Sequence, residues 1–229
     1  MNWKYILTST IICFITFLVV RISDTVVLSA FLRLNDISHT FSFFYVEYGY
    51  APVNNWTEGK LIFIHSVPYL IYVLAGLYLP HYFRNYHYLI QLVVNWVCFH
   101  LILLVMAGLA SGLFLYSGPG VALTWFFVNL PLRITGVLVM LIFMFFAIRR
   151  FAWYFMNIIS EFTDEYDPHQ SKLEMRQLIL IPFAISFIMV IPLTGMQTIL
   201  NFTFSLVLGI IYIAVVFKKI PEVYILKRI

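Results

Sequence analysis

Six apolar runs, each long enough to cross a bilayer, occupy most of this chain of 229 residues. Crossing roughly 30 Å of hydrocarbon takes about 20 apolar residues as a helix. The runs cover about 4–32, 61–80, 89–116, 121–148, 177–193 and 197–217, with a strong turn signal, Ser117-Gly118-Pro119-Gly120, between the third and fourth. The expected fold is all-α: a polytopic bundle of six transmembrane helices forming one integral membrane domain, 1–229. Composition agrees. Only 10% of residues are charged and 62% are hydrophobic, against about 25% charged in a soluble domain. The longest polar stretches, 33–60 and 149–176, are too short for an independent core. Lys4 followed by the apolar run Tyr5–Val20 imitates a signal peptide, but no small-x-small cleavage site follows and Arg21 and Asp24 interrupt it. An uncleaved first span is expected.

Orientation follows from the basic residues that flank the spans. With six spans, one side receives Lys4, Arg84, Arg149, Arg150, Lys172, Arg176, Lys218, Lys219, Lys227 and Arg228, and the other receives only Arg33 and Lys60. The bias predicts both termini in the cytoplasm, in a plasma or inner membrane. The net charge of +4 is spread along the chain, so nucleic acid is not an expected partner. The basic tail 218–229 fits attachment to an anionic leaflet. The external segment 33–60 is rich in aromatics: Phe41, Phe43, Phe44, Tyr45, Tyr48, Tyr50 and Trp56. They form either an interfacial belt or a lid over a site between helices. Asn55-Trp56-Thr57 matches a glycosylation sequon. The acidic run Asp164–Asp167 lacks the glycine turn and ligand spacing of a calcium loop and reads as a solvated connector.

Charge at membrane depth is where this chain departs from a plain bundle. An arginine near the bilayer centre costs roughly 2.5–3.5 kcal/mol on insertion scales, yet Arg21 and Arg133 both lie inside apolar runs. Arg21 and Asp24 are three apart on one helical face and can pair. His65 falls near the outer end of the second span, Asn129 in the outer half of the fourth, and Arg133 near its middle. These five residues form the candidate ligand-binding cluster, at compatible heights in the outer half. Arg133 has no acid in its own span. It pairs with Asp24 across helices, bonds backbone carbonyls near Pro131, snorkels, or faces water or an anionic ligand.

Sharper chemistries find little support. A bis-histidine haem needs two imidazoles at one depth, and His65 and His100 lie about five and about sixteen residues from the outer ends of their spans, a mismatch of roughly 16 Å in depth. Zinc proteolysis needs a His-Glu helix motif, and no His-Glu pair occurs. Ser66 beside His65 does not face it on a helix, and the last span has no lysine for a Schiff base. Cys13 and Cys98 lack CxxC spacing and read as packed thiols. Gly108 and Gly112 predict close helix packing, and Gln197 and Asn201 interhelical hydrogen bonds. No cofactor or metal is expected. Two functions follow as expectations, beside an accessory subunit that binds a membrane-protein partner. One is a non-catalytic protein that binds or conducts a small or lipidic, anionic molecule. The other is a membrane enzyme acting on a lipid-linked substrate, with Asp24 or His65 as acid or base and Arg133 holding phosphate.

Overall fold

The first apolar run folds as one unbroken helix, α1 (Trp3–Leu34), of 32 residues. At 1.5 Å per residue it is about 48 Å long, well beyond the hydrocarbon thickness, and Arg21 and Asp24 do not interrupt it. A computed structural model describes residues 3–49, 56–115, 129–136 and 176–190 of the chain, with isolated positions between 120 and 210. Helix α2 (Glu58–Tyr82) begins at Thr57, whose side-chain oxygen accepts the Lys60 N–H at 3.3 Å as an N-cap. The sequon threonine thus has a structural task, while Asn55 lies outside the described residues. Helix α3 (Tyr88–Leu115) follows a short turn. Among the described residues, α1, α2 and α3 are the three helices long and apolar enough to cross a membrane. Arg176–Leu180 forms a π-helical turn that continues into α4 (Ile181–Val190), the start of the fifth run. In the fourth run, residues 130–136 are helical, with Pro131 in the first turn of that stretch, where its missing N–H breaks no intrahelical bond.

Helix α3 packs against both α1 and α2, and α4 packs against α1. The face that α1 turns inward carries Ser9, Thr10, Cys13, Thr16, Val20 and Asp24, whereas Leu7, Ile11, Ile15 and Val19 are exposed. This reversal of the soluble pattern has a direct cause. Lipid is as apolar as leucine, so helices associate through small residues and interhelical hydrogen bonds rather than by hiding large side chains. Helix α2 approaches α3 closely at Gly76, where a Cβ would meet the Ile102 side chain at 2.8 Å and the Cys98 carbonyl at 3.4 Å.

The segment between α1 and α2 adds an element that the helical expectation lacks. His39–Phe41 (β1) and Val46–Tyr48 (β2) pair antiparallel, with His39 opposite Tyr48 and Phe41 opposite Val46. Their threonine, valine and aromatic residues suit a pleated strand. Asp36, at φ 58, turns the chain out of α1, and the Ile37 N–H closes back on the Leu32 carbonyl at 3.0 Å. The acidic connector 164–169, Gln197, Asn201 and the basic tail lie outside the described residues.

Candidate functional site

The hairpin lies along the C-terminal part of α1 and reaches α2. The Thr25 hydroxyl is shared between the Phe43 carbonyl at 3.0 Å and the Ile22 carbonyl one turn back at 2.8 Å. One turn farther along α1, Ser29 bonds the His39 ring at 2.7 Å. His39 Nδ1 faces the Ile37 carbonyl at 2.9 Å, so that nitrogen carries the proton and Nε2 accepts from Ser29. Lys60 Nζ donates to the Asn35 carbonyl at 2.9 Å, tying α2 to the turn after α1. A small apolar cluster of Leu32, Ile37 and Ile64, with Val46, Tyr48 and Trp56 against it, fills the space beneath.

His65 sits at the centre of this arrangement. It is fully buried. The Tyr48 hydroxyl lies 3.3 Å from its Nε2, and the Trp56 indole stacks on the imidazole with centroids 6.3 Å apart and planes 20° apart. Trp56 is itself held by its N–H, which donates to the Gly49 carbonyl at 3.0 Å. Among the described residues, His65 Nδ1 has no hydrogen-bond partner. Tyr72 stands two turns farther along α2, on the same face. Its buried hydroxyl faces the Asp24 carboxylate but falls short of hydrogen-bonding geometry.

Asp24 and Arg21 form the expected intrahelical pair, Oδ2 to Nη1 at 3.6 Å, with side chains 9% and 18% exposed. The structure therefore brings Arg21 and Asp24 together on α1, and Tyr72 of α2, a residue the sequence did not single out, beside the acid. His65 stands on the same side of the molecule under the hairpin. Asn129 and Arg133 are placed differently. Asn129 is exposed at the bend before the 130–136 stretch, and Arg133 is half-buried, its N–H bonded to the Asn129 carbonyl at 3.1 Å.

A second polar region lies toward the other end of the helices, and sequence reasoning missed it. Trp96 donates its indole N–H to Ser9 at 3.1 Å, and Ser9 donates to the Leu178 carbonyl at 2.5 Å. Ser186 donates to the Thr10 carbonyl at 3.2 Å. His100 Nε2 donates to the Cys13 carbonyl at 3.1 Å and lies 3.7 Å from the Cys13 sulfur, with Trp96 stacked on its ring. His65 and His100 thus occupy separate surroundings. Both cysteines are buried and free. The readable signal was the spacing of Ser9, Cys13, Thr16, Val20 and Asp24 every three or four residues along α1, which marks one small, polar face. Among the described residues, no three His, Cys, Asp or Glu side chains converge as metal ligands would. Comparison with known proteins finds no matching family model, no matching curated protein and no matching solved structure.

Proposed function

We propose that the protein is a six-span membrane protein with both termini in the cytoplasm. In this reading it binds a small or lipidic molecule with an anionic head in the outer half of the bilayer, without transforming it. The observation that carries the reading is the His65 imidazole, fully buried under Tyr48 and Trp56 with Nδ1 unpartnered among the described residues. A buried polar atom left without a partner costs about 1–3 kcal/mol, and a ligand able to bond there recovers that cost. Arg21 supports an anionic head. Its guanidinium carries five donors, and its described ion-pair partner, Asp24, stands at 3.6 Å. The ten-to-two distribution of flanking basic residues supports the topology. Because the aromatic pair closes over His65, entry requires the hairpin to lift, which favours a lidded binding site over an open channel.

Native mass spectrometry of the full chain, purified in mild detergent from its membranes, tests this. Wild type is expected to retain an anionic amphiphile at one copy per chain, and His65→Phe, which keeps the ring volume and removes both nitrogens, is expected to lose it. A wild-type protein that carries nothing, or a His65→Phe variant that keeps the adduct, would overturn the reading.

A further inference from the structure

We infer that the tip of the β1–β2 hairpin is seated in the leaflet on its side of the membrane, with Phe41, Phe43 and Tyr45 docked against lipid at the boundary between headgroups and hydrocarbon. The inference rests on α1 and α2 crossing the bilayer and is independent of the ligand proposed above. Two rulers within the fold set the height of the tip. On α1 a strip of exposed large apolar side chains runs from Leu7 to Val26, with Leu34 exposed in the last turn beyond it; the strip covers about 28 Å of helix, close to the roughly 30 Å of a hydrocarbon core. Trp3, 68% exposed, marks the opposite boundary, where indoles concentrate. The Phe43 carbonyl is held by Thr25, the residue beside Val26, so the tip stands at the far end of that lipid-facing strip.

Helix α2 gives the same answer with a larger margin. Its exposed large apolar side chains begin at Phe63, which packs on Phe31 with ring centroids 5.2 Å apart. Phe31 lies six residues beyond Thr25, about 9 Å farther out along α1. The apolar surface of α2 therefore extends past the tip, so both rulers place the tip at or inside the boundary and not in bulk water.

Polarity along the hairpin follows this height. The tip presents Phe43, 67% exposed, with Phe41 and Tyr45 each 43% exposed. Thr40 and Glu47, opposite one another one pair farther from the tip, are exposed and polar. Non-helical backbone at membrane depth is tolerated when its polar groups are satisfied within the protein. Here the ladder between the strands, the Ser42 N–H on the Tyr45 carbonyl at 3.0 Å, and Thr25 on the Phe43 carbonyl supply those bonds.

Spin labels at single introduced cysteines test the placement, because Cys13 and Cys98 are both fully buried and leave the introduced thiol as the accessible one. The full chain, reconstituted in phosphatidylcholine vesicles, carries Phe43→Cys or Glu47→Cys, and each label's collisions with oxygen and with a water-soluble nickel chelate are compared. Phe43→Cys is expected to favour oxygen, with an oxygen-to-nickel ratio several-fold above that of Glu47→Cys. Equal, nickel-favoured ratios would place the tip in water, and an immobilised label hidden from both reagents would place it against protein. Either result overturns the inference. Tyr45→Cys carries the same expectation should Phe43→Cys fail to accumulate.

Discussion

Ser9 on α1 receives the indole N–H of Trp96 on α3 at 3.1 Å. The same hydroxyl donates to the Leu178 carbonyl at 2.5 Å, inside the π-turn that begins the fifth apolar run. One small side chain therefore joins three helical segments that are distant in sequence. The π-turn carries i to i+5 bonding, and its Leu178 carbonyl takes Ser9 as an outside donor.

Replacing Ser9 with alanine leaves the Trp96 N–H and the Leu178 carbonyl without this partner, both in a buried setting. The expected loss is about 1–3 kcal/mol, read as a lowered thermal unfolding midpoint in detergent. Ser23→Ala, an exposed serine on the same helix, is expected to leave the midpoint unchanged.

Thr25→Val keeps the shape of the side chain and removes the donor to Phe43. The hairpin is then held to α1 by the Ser29–His39 bond and the apolar cluster. A loss of about 1 kcal/mol is expected for a hydrogen bond of this kind, and it should be local. Amides 39–48 are expected to exchange hydrogen faster while those of α2 and α3 keep their protection. Uniform acceleration across all helices would show that the contact serves the whole bundle instead.

The helices were legible in the sequence because hydrophobic length is a one-dimensional property. The expected run 61–80 corresponds to Glu58–Tyr82, and 89–116 to Tyr88–Leu115, differences of a turn or less. The hairpin was not legible, since two three-residue strands give no alternating window long enough to read. Lateral placement was also out of reach. When the outer face of a helix is as apolar as its inner face, hydrophobicity does not say which way a residue points, so the convergence of Arg21 and Asp24 could be read from i,i+3 spacing, while Tyr72 beside Asp24 could not. Gly76, which abuts Ile102 of α3, was not singled out in the sequence, because its segment has no small-xxx-small signature.

Gly76→Ala drives a methyl into Ile102. Overpacking of this kind costs about 1–3 kcal/mol, and the clash is with a side chain rather than with a fixed carbonyl. Ile102→Ala, which opens space at the same spot, is expected to be destabilising alone. Combined with Gly76→Ala it should recover part of the loss, giving a double-mutant coupling of opposite sign to the single effects. Additive losses in the unfolding midpoint would mean that the two residues do not meet.

The Arg21–Asp24 pair allows the structural and the ligand-binding roles of these charges to be separated. Asp24 is buried and Arg21 is its described counter-ion. Removing one partner of a buried pair strands the other charge, which typically costs about 3–5 kcal/mol, whereas replacing both is often close to neutral. Arg21→Gln and Asp24→Asn are therefore each expected to lower the amount of folded protein recovered in detergent, and the double variant is expected to recover most of it. The folded double variant is then the informative molecule. If Arg21 does no more than neutralise Asp24, the anionic amphiphile expected in native mass spectra of wild type persists in the double variant. If Arg21 also receives the anionic head, that adduct disappears while the fold remains, and the expected outcome is its disappearance. A double variant that unfolds as readily as the singles would mean that the charges are held by contacts beyond each other, with the phenol of Tyr72 the first place to look.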